Sequence, residues 1–491
     1  MHQKKHAEYM AVLTLLITFF GFYATKVWDI DFWSHIASGR YIVESGSIPS
    51  TDPFAMYSNT DAWGQLVLKS QWLGQVFLYE IQHYSGFDGI IAWRAAMLTS
   101  CLWLVYWRCR IVNTSLHIAL MMTAITGLVL LTFTGERPQL FSFLYLAVVF
   151  LLLDAFQQSN RRRLLFAIPP IFMLWANTHG GVLFGMVALG LFGIGSLLQT
   201  RLNSGKFDVT QAKLILGVIA LSAIASFLAP NGINTLITTL KTIILTENSA
   251  LRERTSEYAT PWAMRSILTY YWVFLALVAV SLYGLFGKAH IRYSLFVVAI
   301  TCFSLTGARY IPLFALAVAP YVASSLSRLS KSVQPPILAT CLATVVISLG
   351  FLGYGFKQDN VFQRGVQESK YPVEAVNIIR NNQLHGKLFN TLNFGGYLDW
   401  NLAPSSVHPF IDGRLLDINR MEPYTNILWM TPAGKDYFER ISFDMVLITP
   451  GNAFTGETYP LVTYLVNNPL WRLVQRDRNS LFFVRTNSAQ Y

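Results

Sequence analysis

The chain is short of charge and short of cysteine. Only 13% of its 491 residues are Asp, Glu, Lys or Arg, against 53% apolar residues. A soluble domain carries about 25% charged residues. With a mean hydropathy of +0.41, this deficit excludes an ordinary soluble enzyme and points to a polytopic membrane protein. The four cysteines, Cys101, Cys109, Cys302 and Cys341, all lie in or beside apolar segments, which argues against a disulfide framework. No HExxH, CxxC, Walker or GxGxxG signature occurs, so an ATP-driven pump or a cytosolic nucleotide-sugar enzyme would lack its usual site. The formal charge of +11 is not gathered into a basic domain with interleaved aromatics, so nucleic acid is not an expected partner. Membrane lipid is, because an excess of Lys and Arg suits loops facing anionic head groups.

What is present is a series of long apolar runs. About eleven have the roughly 17–25 residues that a spanning helix needs. They centre near Ile17, Leu98, Thr126, Val148, Phe172, Leu191, Leu221, Leu275, Ile300, Ala317 and Val346. The first follows Lys4 and Lys5 with no small-x-small cleavage site after it, and reads as a retained anchor. With the N-terminus in the cytoplasm, alternate loops carry Arg108 and Arg110, then Arg161 to Arg163, then Arg201, Lys206 and Lys213, then Lys288 and Arg292, then Arg328 and Lys331. This satisfies the positive-inside rule and puts the C-terminal region outside. Arg252, Arg254 and Arg265 fall on the outer side and fit that rule less well.

The expected fold is therefore an α-helical polytopic membrane protein with a small C-terminal soluble α/β domain. Residues 1–356 form the membrane module, with a large first outer loop at 27–88. Residues 357–491 form the extracytoplasmic domain. The tail carries turn signals (NFGGYL, TPAGKD, TPGNAF), β-type runs (DMVLITP, LFFVRT) and an amphipathic stretch with Val373, Val376, Ile378 and Ile379 on one face.

Ionisable groups at membrane depth are costly and tend to mark sites. Those of the outer face gather in a few places. Asp29 and Asp31 end the first span beside Trp28, Phe32 and Trp33, and His35 follows. An Asp-x-Asp pair can hold a divalent cation through oxygen ligands. Alternatively, one carboxylate can act as a general base, its pKa raised by partial burial. Interfacial anchoring by the acids and tryptophans is the structural alternative. Glu136 and Arg137 lie in GERPQ, Asn177 and His179 in WANTHGG, and Arg309 in GARY. Arg137 and Arg309 suit a phosphate, which guanidinium binds bidentately; Glu136 either pairs with Arg137 or assists as a second acid. Arg94, inside the second span, needs a partner or a snorkelling route. Gly180 and Gly181 beside His179 allow close approach of backbone or ligand. In the tail, Gly395 and Gly396 suit a tight turn, and Asp412-Gly413-Arg414 reads as a strand end and turn with an ion pair or a ligand site.

Read together, DIDFWSHIASGRYIVESGSIPSTDPF, SQWLGQVFLYEI, GERPQLFSFL, LWANTHGG, FNTLNFGGYLDW and FIDGR resemble, in this order, the GT-C superfamily of polytopic membrane glycosyltransferases. The likeness is to a bacterial branch related to the protein O-mannosyltransferase and aminoarabinose transferase types. The resemblance implies a transferase in the bacterial cytoplasmic (inner) membrane. It would move a sugar from a polyprenyl-phosphate-linked donor to a glycan, lipid or protein acceptor on the outer face, with inversion. It assigns the base or metal role to Asp29 or Asp31, with Mg or Mn as the divalent cation. Arg137 or Arg309 would steady the departing phosphate. Glu136 is a further catalytic candidate, and Trp33, His35, Asn177 and His179 are candidates for substrate binding. No WWD-type oligosaccharyltransferase motif is present. The competing readings are a lipid-linked glycan polymerase or ligase, a glycan or lipid transporter, and a non-catalytic scaffold. A transporter should place its polar groups near mid-bilayer, whereas these crowd one face.

Overall fold

In a computed structural model of the chain, the described residues are 2–56, 60–204, 209–244, 259–266, 268–286, 291–329, 335–404, 407–452 and 456–486. They divide into two compact units. One comprises Met1–Lys26 and Asp88–Arg364, the other Val27–Phe87 and Gly365–Tyr491. Residues 27–87, nearly all of the expected first outer loop, thus belong to the same unit as the tail.

The first unit is helical. Among the described residues, eight helices are long and apolar enough to cross a membrane. The expected count of about eleven is not reached. The remaining centres, Phe172, Leu275 and Ile300, fall on Ile168–Thr178, Tyr271–Tyr283 and Ile291–Thr306, of 11, 13 and 16 residues. At 1.5 Å per residue these cover roughly 16–24 Å, short of the ~30 Å hydrocarbon core.

Two buried arginines tie this unit together. Arg108 does not sit in a basic loop. It is 2% exposed, and its Nε donates to Asp154 at 2.8 Å. Its Nη1 donates to the Leu316 carbonyl, and its Nη2 to Ala317 O at 3.2 Å. The cause lies in Pro320, inside the helix Ile311–Leu329. Proline has no N–H for the carbonyl four residues back, and Arg108 supplies the missing donor to Leu316. Of the two routes open to Arg94, it takes the partner. It is fully buried and paired with Glu136, and it also donates to the carbonyls of Tyr23, Thr25 and Thr134.

The second unit carries a five-stranded sheet in the order β2-β1-β3-β5-β4. Its strands are β1 (Gly386–Asn390), β2 (Val407–Pro409), β3 (Met445–Ile448), β4 (Trp471–Arg476) and β5 (Leu481–Arg485). β1 pairs in parallel with β2 and β3, whereas β5 runs antiparallel to β3 and β4. The central strand β3 is buried along its whole length, as its unbroken MVLI run requires. The amphipathic helix Val373–Asn381 buries Ala375, Val376 and Ile379, with Val373 and Ile378 half-buried at the margin of that face.

Two expected turns are helices instead. TPAGKD starts the helix Pro432–Ile441, capped where the Thr431 hydroxyl accepts the Gly434 N–H at 3.1 Å. NFGGYL lies within the helix Leu392–Leu402, and its glycines serve close packing rather than a turn. A β-carbon on Gly395 would stand 2.3 Å from the Ile411 carbonyl, and one on Gly396 would stand 2.5 Å from Ser34 Oγ. The second contact brings the helix Phe32–Ser45 of the first loop directly against the tail helix.

Candidate functional site

In the second unit, the acid pair is built by backbone geometry. Val27 is bridged to Val366, which fixes where the chain enters. Asp29 is 2% exposed; its Oδ1 accepts the Asp31 N–H at 2.9 Å, and its carbonyl accepts the Tyr371 hydroxyl at 3.3 Å. Asp31 stands at the N-cap of Phe32–Ser45, but its side chain makes no capping bond. Instead its Oδ1 lies over Gly413, where a β-carbon would come within 2.2 Å. The DID of the first loop and the DGR of the tail, far apart in sequence, therefore meet.

Beneath them lies Arg414, 6% exposed. It donates to Asp412 through Nε at 3.0 Å and Nη2 at 2.8 Å, and to Asp52 at 2.9 Å. Asp399 stands at 3.6 Å and accepts the Ser34 hydroxyl at 3.4 Å. One guanidinium thus faces three buried carboxylates. Burial, then the charge of Asp412, push Asp399 well above the usual carboxylate range, against the opposing pull of Arg414. Burial raises Asp52 as well. Burial alone would lower Arg414, but Asp412, Asp52 and Asp399 hold it well above its ordinary value. A protonated Asp399 relieves the excess negative charge.

Asp399 also lines a cavity of about 220 Å³ with Arg40, Glu44, Phe54, Pro404 and His408. Arg40 is anchored on its rim, 4.4 Å above the Trp400 ring and donating to Trp400 O at 2.9 Å.

Trp33 and His35 are both packed inside this unit. Trp33 is 3% exposed and meets Phe87, Tyr371 and Tyr397 edge-on at 4.8–5.4 Å between ring centroids. His35 is 7% exposed, with Nδ1 3.4 Å from Gln75 Nε2.

In the first unit, Glu136 is paired with the buried Arg94. Arg137 is half-buried in the turn before the helix Gln139–Ser159. Asn177 donates to Met173 O of its own helix at 2.8 Å.

His179 sits in the turn between Ile168–Thr178 and Val182–Ser204. Trp175 Nε1 donates to Ser142 Oγ at 2.6 Å, and Ser142 Oγ lies 2.7 Å from His179 Nδ1. The Gly181 N–H donates to the same Nδ1 at 3.1 Å. GERPQLFSFL and LWANTHGG are thereby locked together. Gly181 must be glycine here, since a β-carbon would meet Ser142 Oγ at 2.6 Å and His179 Nδ1 at 2.8 Å. Arg309 lies in the turn Ala308–Tyr310, and the Tyr310 ring stands 5.4 Å from Phe184 in the first turn of Val182–Ser204. Arg265 covers the Trp262 ring at 4.4 Å, and Arg252 and Arg254 lie outside the described residues.

Among the described residues, no three His, Cys, Asp or Glu side chains gather as a protein-only metal site would require. Asp29 and Asp31 offer two carboxylates from one turn. That partial set fits a hard cation such as Mg, which takes one or two carboxylates and completes its shell with water and substrate phosphate.

No protein-family model matches the chain, and no curated protein matches it. Solved structures do. The Archaeoglobus fulgidus oligosaccharyltransferase in its apo form is 11% identical with a TM-score of 0.57, over 91% of this chain and 69% of that one. The same enzyme in complex with Zn and sulfate gives 0.55, at 11% identity over 90% and 68%. The arabinofuranosyltransferase AftD from Mycobacteria gives 0.53 at 12% identity, over 98% of this chain and 40% of that larger one. The chain has the fold of these glycosyltransferases.

Proposed function

We propose that the protein is a membrane glycosyltransferase of the GT-C type. It would transfer a sugar from a polyprenyl-phosphate donor to an acceptor hydroxyl or amine on the outer face of the bacterial cytoplasmic membrane. The observation that carries this reading is a fold shared with two glycosyltransferases over nearly the whole chain, in a chain whose first loop holds an acid turn.

In the proposed step, the acceptor oxygen or nitrogen attacks the anomeric carbon as the carbon–oxygen bond to phosphate breaks, inverting that centre. The bonding pair leaves on the phosphate oxygen, and the acceptor's proton passes to a carboxylate. Asp31 or Asp29 takes that proton. Arg137 and Arg309 bind the phosphate that gains charge. If Mg or Mn is bound, Asp29 and Asp31 hold it, and it adds Lewis-acid stabilisation of the phosphate. The 220 Å³ cavity beside Asp399 supports placing acceptor recognition in the first-loop and tail unit. Its aromatic, proline and carboxyl walls suit a hydroxylated ring.

The test is the lipid-linked sugar pool of cells lacking the gene, complemented with wild type or Asp31→Asn at matched expression. A polyprenyl-phosphate sugar that accumulates without the protein, clears with wild type and persists with the variant supports the reading. Absence of any such lipid, with donor recycling blocked, removes it.

A further inference from the structure

We infer that the cavity beside Asp399 seats one uncharged sugar ring of a glycan acceptor, with Asp399 Oδ1 as its buried polar contact and Arg40 and His408 as partners in the wall. This rests on the proposed function and narrows its acceptor from any hydroxyl or amine to a glycan.

Asp399 is 1% exposed, and its two oxygens differ. Oδ2 accepts the Ser34 hydroxyl at 3.4 Å and faces Arg414 Nη2 at 3.6 Å. A guanidinium can only donate, so Oδ2 is the accepting oxygen. Oδ1 has no hydrogen-bond partner in the protein, and Asp399 lines the cavity. Burial, then the charge of Asp412, favours the neutral acid, and with Oδ2 accepting, its proton belongs on Oδ1. A buried donor with nothing to donate to is costly. A ligand oxygen in the cavity would satisfy it.

The rest of the wall complements ring hydroxyls, which both donate and accept. His408 Nδ1 lies 2.9 Å from the Phe54 carbonyl, which can only accept. The neutral imidazole therefore carries its proton on Nδ1 and offers Nε2 as an acceptor. Among the described residues, Arg40 gives only Nη2 to the protein, at Trp400 O (2.9 Å) and Ala403 O (3.2 Å). Its Nη1 is left as a donor. Phe54 and Pro404 add apolar surface for the C–H faces of a ring. The volume of about 220 Å³ falls below the roughly 300–1,000 Å³ of pockets for drug-sized ligands, so it suits one ring rather than two. Around it, the carboxyls of Asp52, Asp399, Asp412 and Glu44 outnumber the guanidiniums of Arg40 and Arg414. That excess disfavours a phosphate or a uronate.

The experiment titrates the full chain in lipid nanodiscs with methyl glucoside, methyl galactoside and methyl mannoside, and reads saturation transfer to their ring protons. At least one should bind, whereas methyl glucuronoside and glycerol should not. Asp399→Asn should keep binding, because its amide donates from the Oδ1 position while its carbonyl accepts from Ser34 and Arg414. Asp399→Leu should weaken binding about 10-fold, with folding checked by thermal unfolding. Arg40→Met, at a half-buried position, should weaken it too and decides the matter if Asp399→Leu does not fold. Binding of no glycoside, binding that ignores both Asp399→Leu and Arg40→Met, or equal loss in Asp399→Asn and Asp399→Leu overturns the inference. Equal binding of N-acetyl-tyrosinamide, lost in the same variants, assigns the cavity to a protein side chain and overturns the glycan part. Sugar transfer is not read. Glycoside binding with a failed donor-pool test keeps the ring site and removes the transferase reading; the reverse result removes this inference alone.

Discussion

The Oδ1 of Asp31 lies 2.2 Å from where a β-carbon on Gly413 would stand. A carboxylate proposed for catalysis thus rests on a bare stretch of tail backbone, and any side chain there must displace it. Gly413→Ala should lower transfer about 100-fold, the scale expected when a reacting group moves by about 1 Å. Protein level and protease resistance should stay near wild type. Asp31→Asn should lose a comparable or larger factor, since general-base catalysis contributes roughly 10²–10⁴. The check is the clearance rate of the accumulated lipid-linked sugar. Full activity in Gly413→Ala would show that Asp31 need not hold this position.

Arg414 should be a stability residue before it is anything else. Its removal leaves Asp52, Asp399 and Asp412 buried around a lost cation. Breaking a buried ion pair from one side costs about 3–5 kcal/mol. Arg414→Met should therefore expose the tail to protease well below the wild-type unfolding temperature. Arg414→Lys should rescue only in part, because an ammonium cannot make the two-pronged contact with Asp412.

Asp399 gives a pH prediction of defined sign. Its folded pKa is raised well above 3.8 by burial and by Asp412, so the folded form holds that proton more tightly than the unfolded chain. Its contribution is fully present below the ordinary carboxylate value and is lost as pH rises through the raised folded value. Asp399→Asn should flatten this part of the profile and be the more stable protein, relative to wild type, at the high end. Thermal unfolding across pH, compared between the two, reads the difference; parallel profiles would refute it.

The Arg94–Glu136 pair separates a structural carboxylate from a catalytic one. If Glu136 chiefly holds Arg94, Glu136→Gln should lower the melting temperature in detergent while activity per folded molecule survives. Arg94→Met alone should be the worst single variant, because it strands a buried carboxylate. The double variant Arg94→Met/Glu136→Met should recover much of the loss. Activity that vanishes in Glu136→Gln with melting unchanged would return Glu136 to the catalytic group.

Much of this was legible in the sequence, and the failures have physical causes. Low charge and long apolar runs announce spanning helices, and the sheet-bearing tail shows in its alternation of turn signals and β-branched runs. Helix lengths are not legible where helices stop early, as at Thr178, because hydropathy does not see a helix end. Gly395 and Gly396 suit a turn by residue type, whereas the actual constraint is the approach of Ile411 and Ser34. Ser142, Asp52 and Asp399 are not legible in the sequence: a serine in an apolar helix and isolated aspartates, one of them inside the helix Leu392–Leu402, carry no pattern.

By itself, the sequence determined the solvent in which most of this chain must fold, the segments able to enter it, and the residue types available for acid and phosphate chemistry. Those follow from composition and local periodicity. Only the tertiary structure decided the partners: Arg94 with Glu136, Arg108 with a carbonyl freed by Pro320, Asp31 with Gly413, and Ser142 with His179. Each pairing joins residues distant in sequence. A buried charge or an unmet donor is satisfied by whatever the fold brings within hydrogen-bond reach, and no local pattern records that.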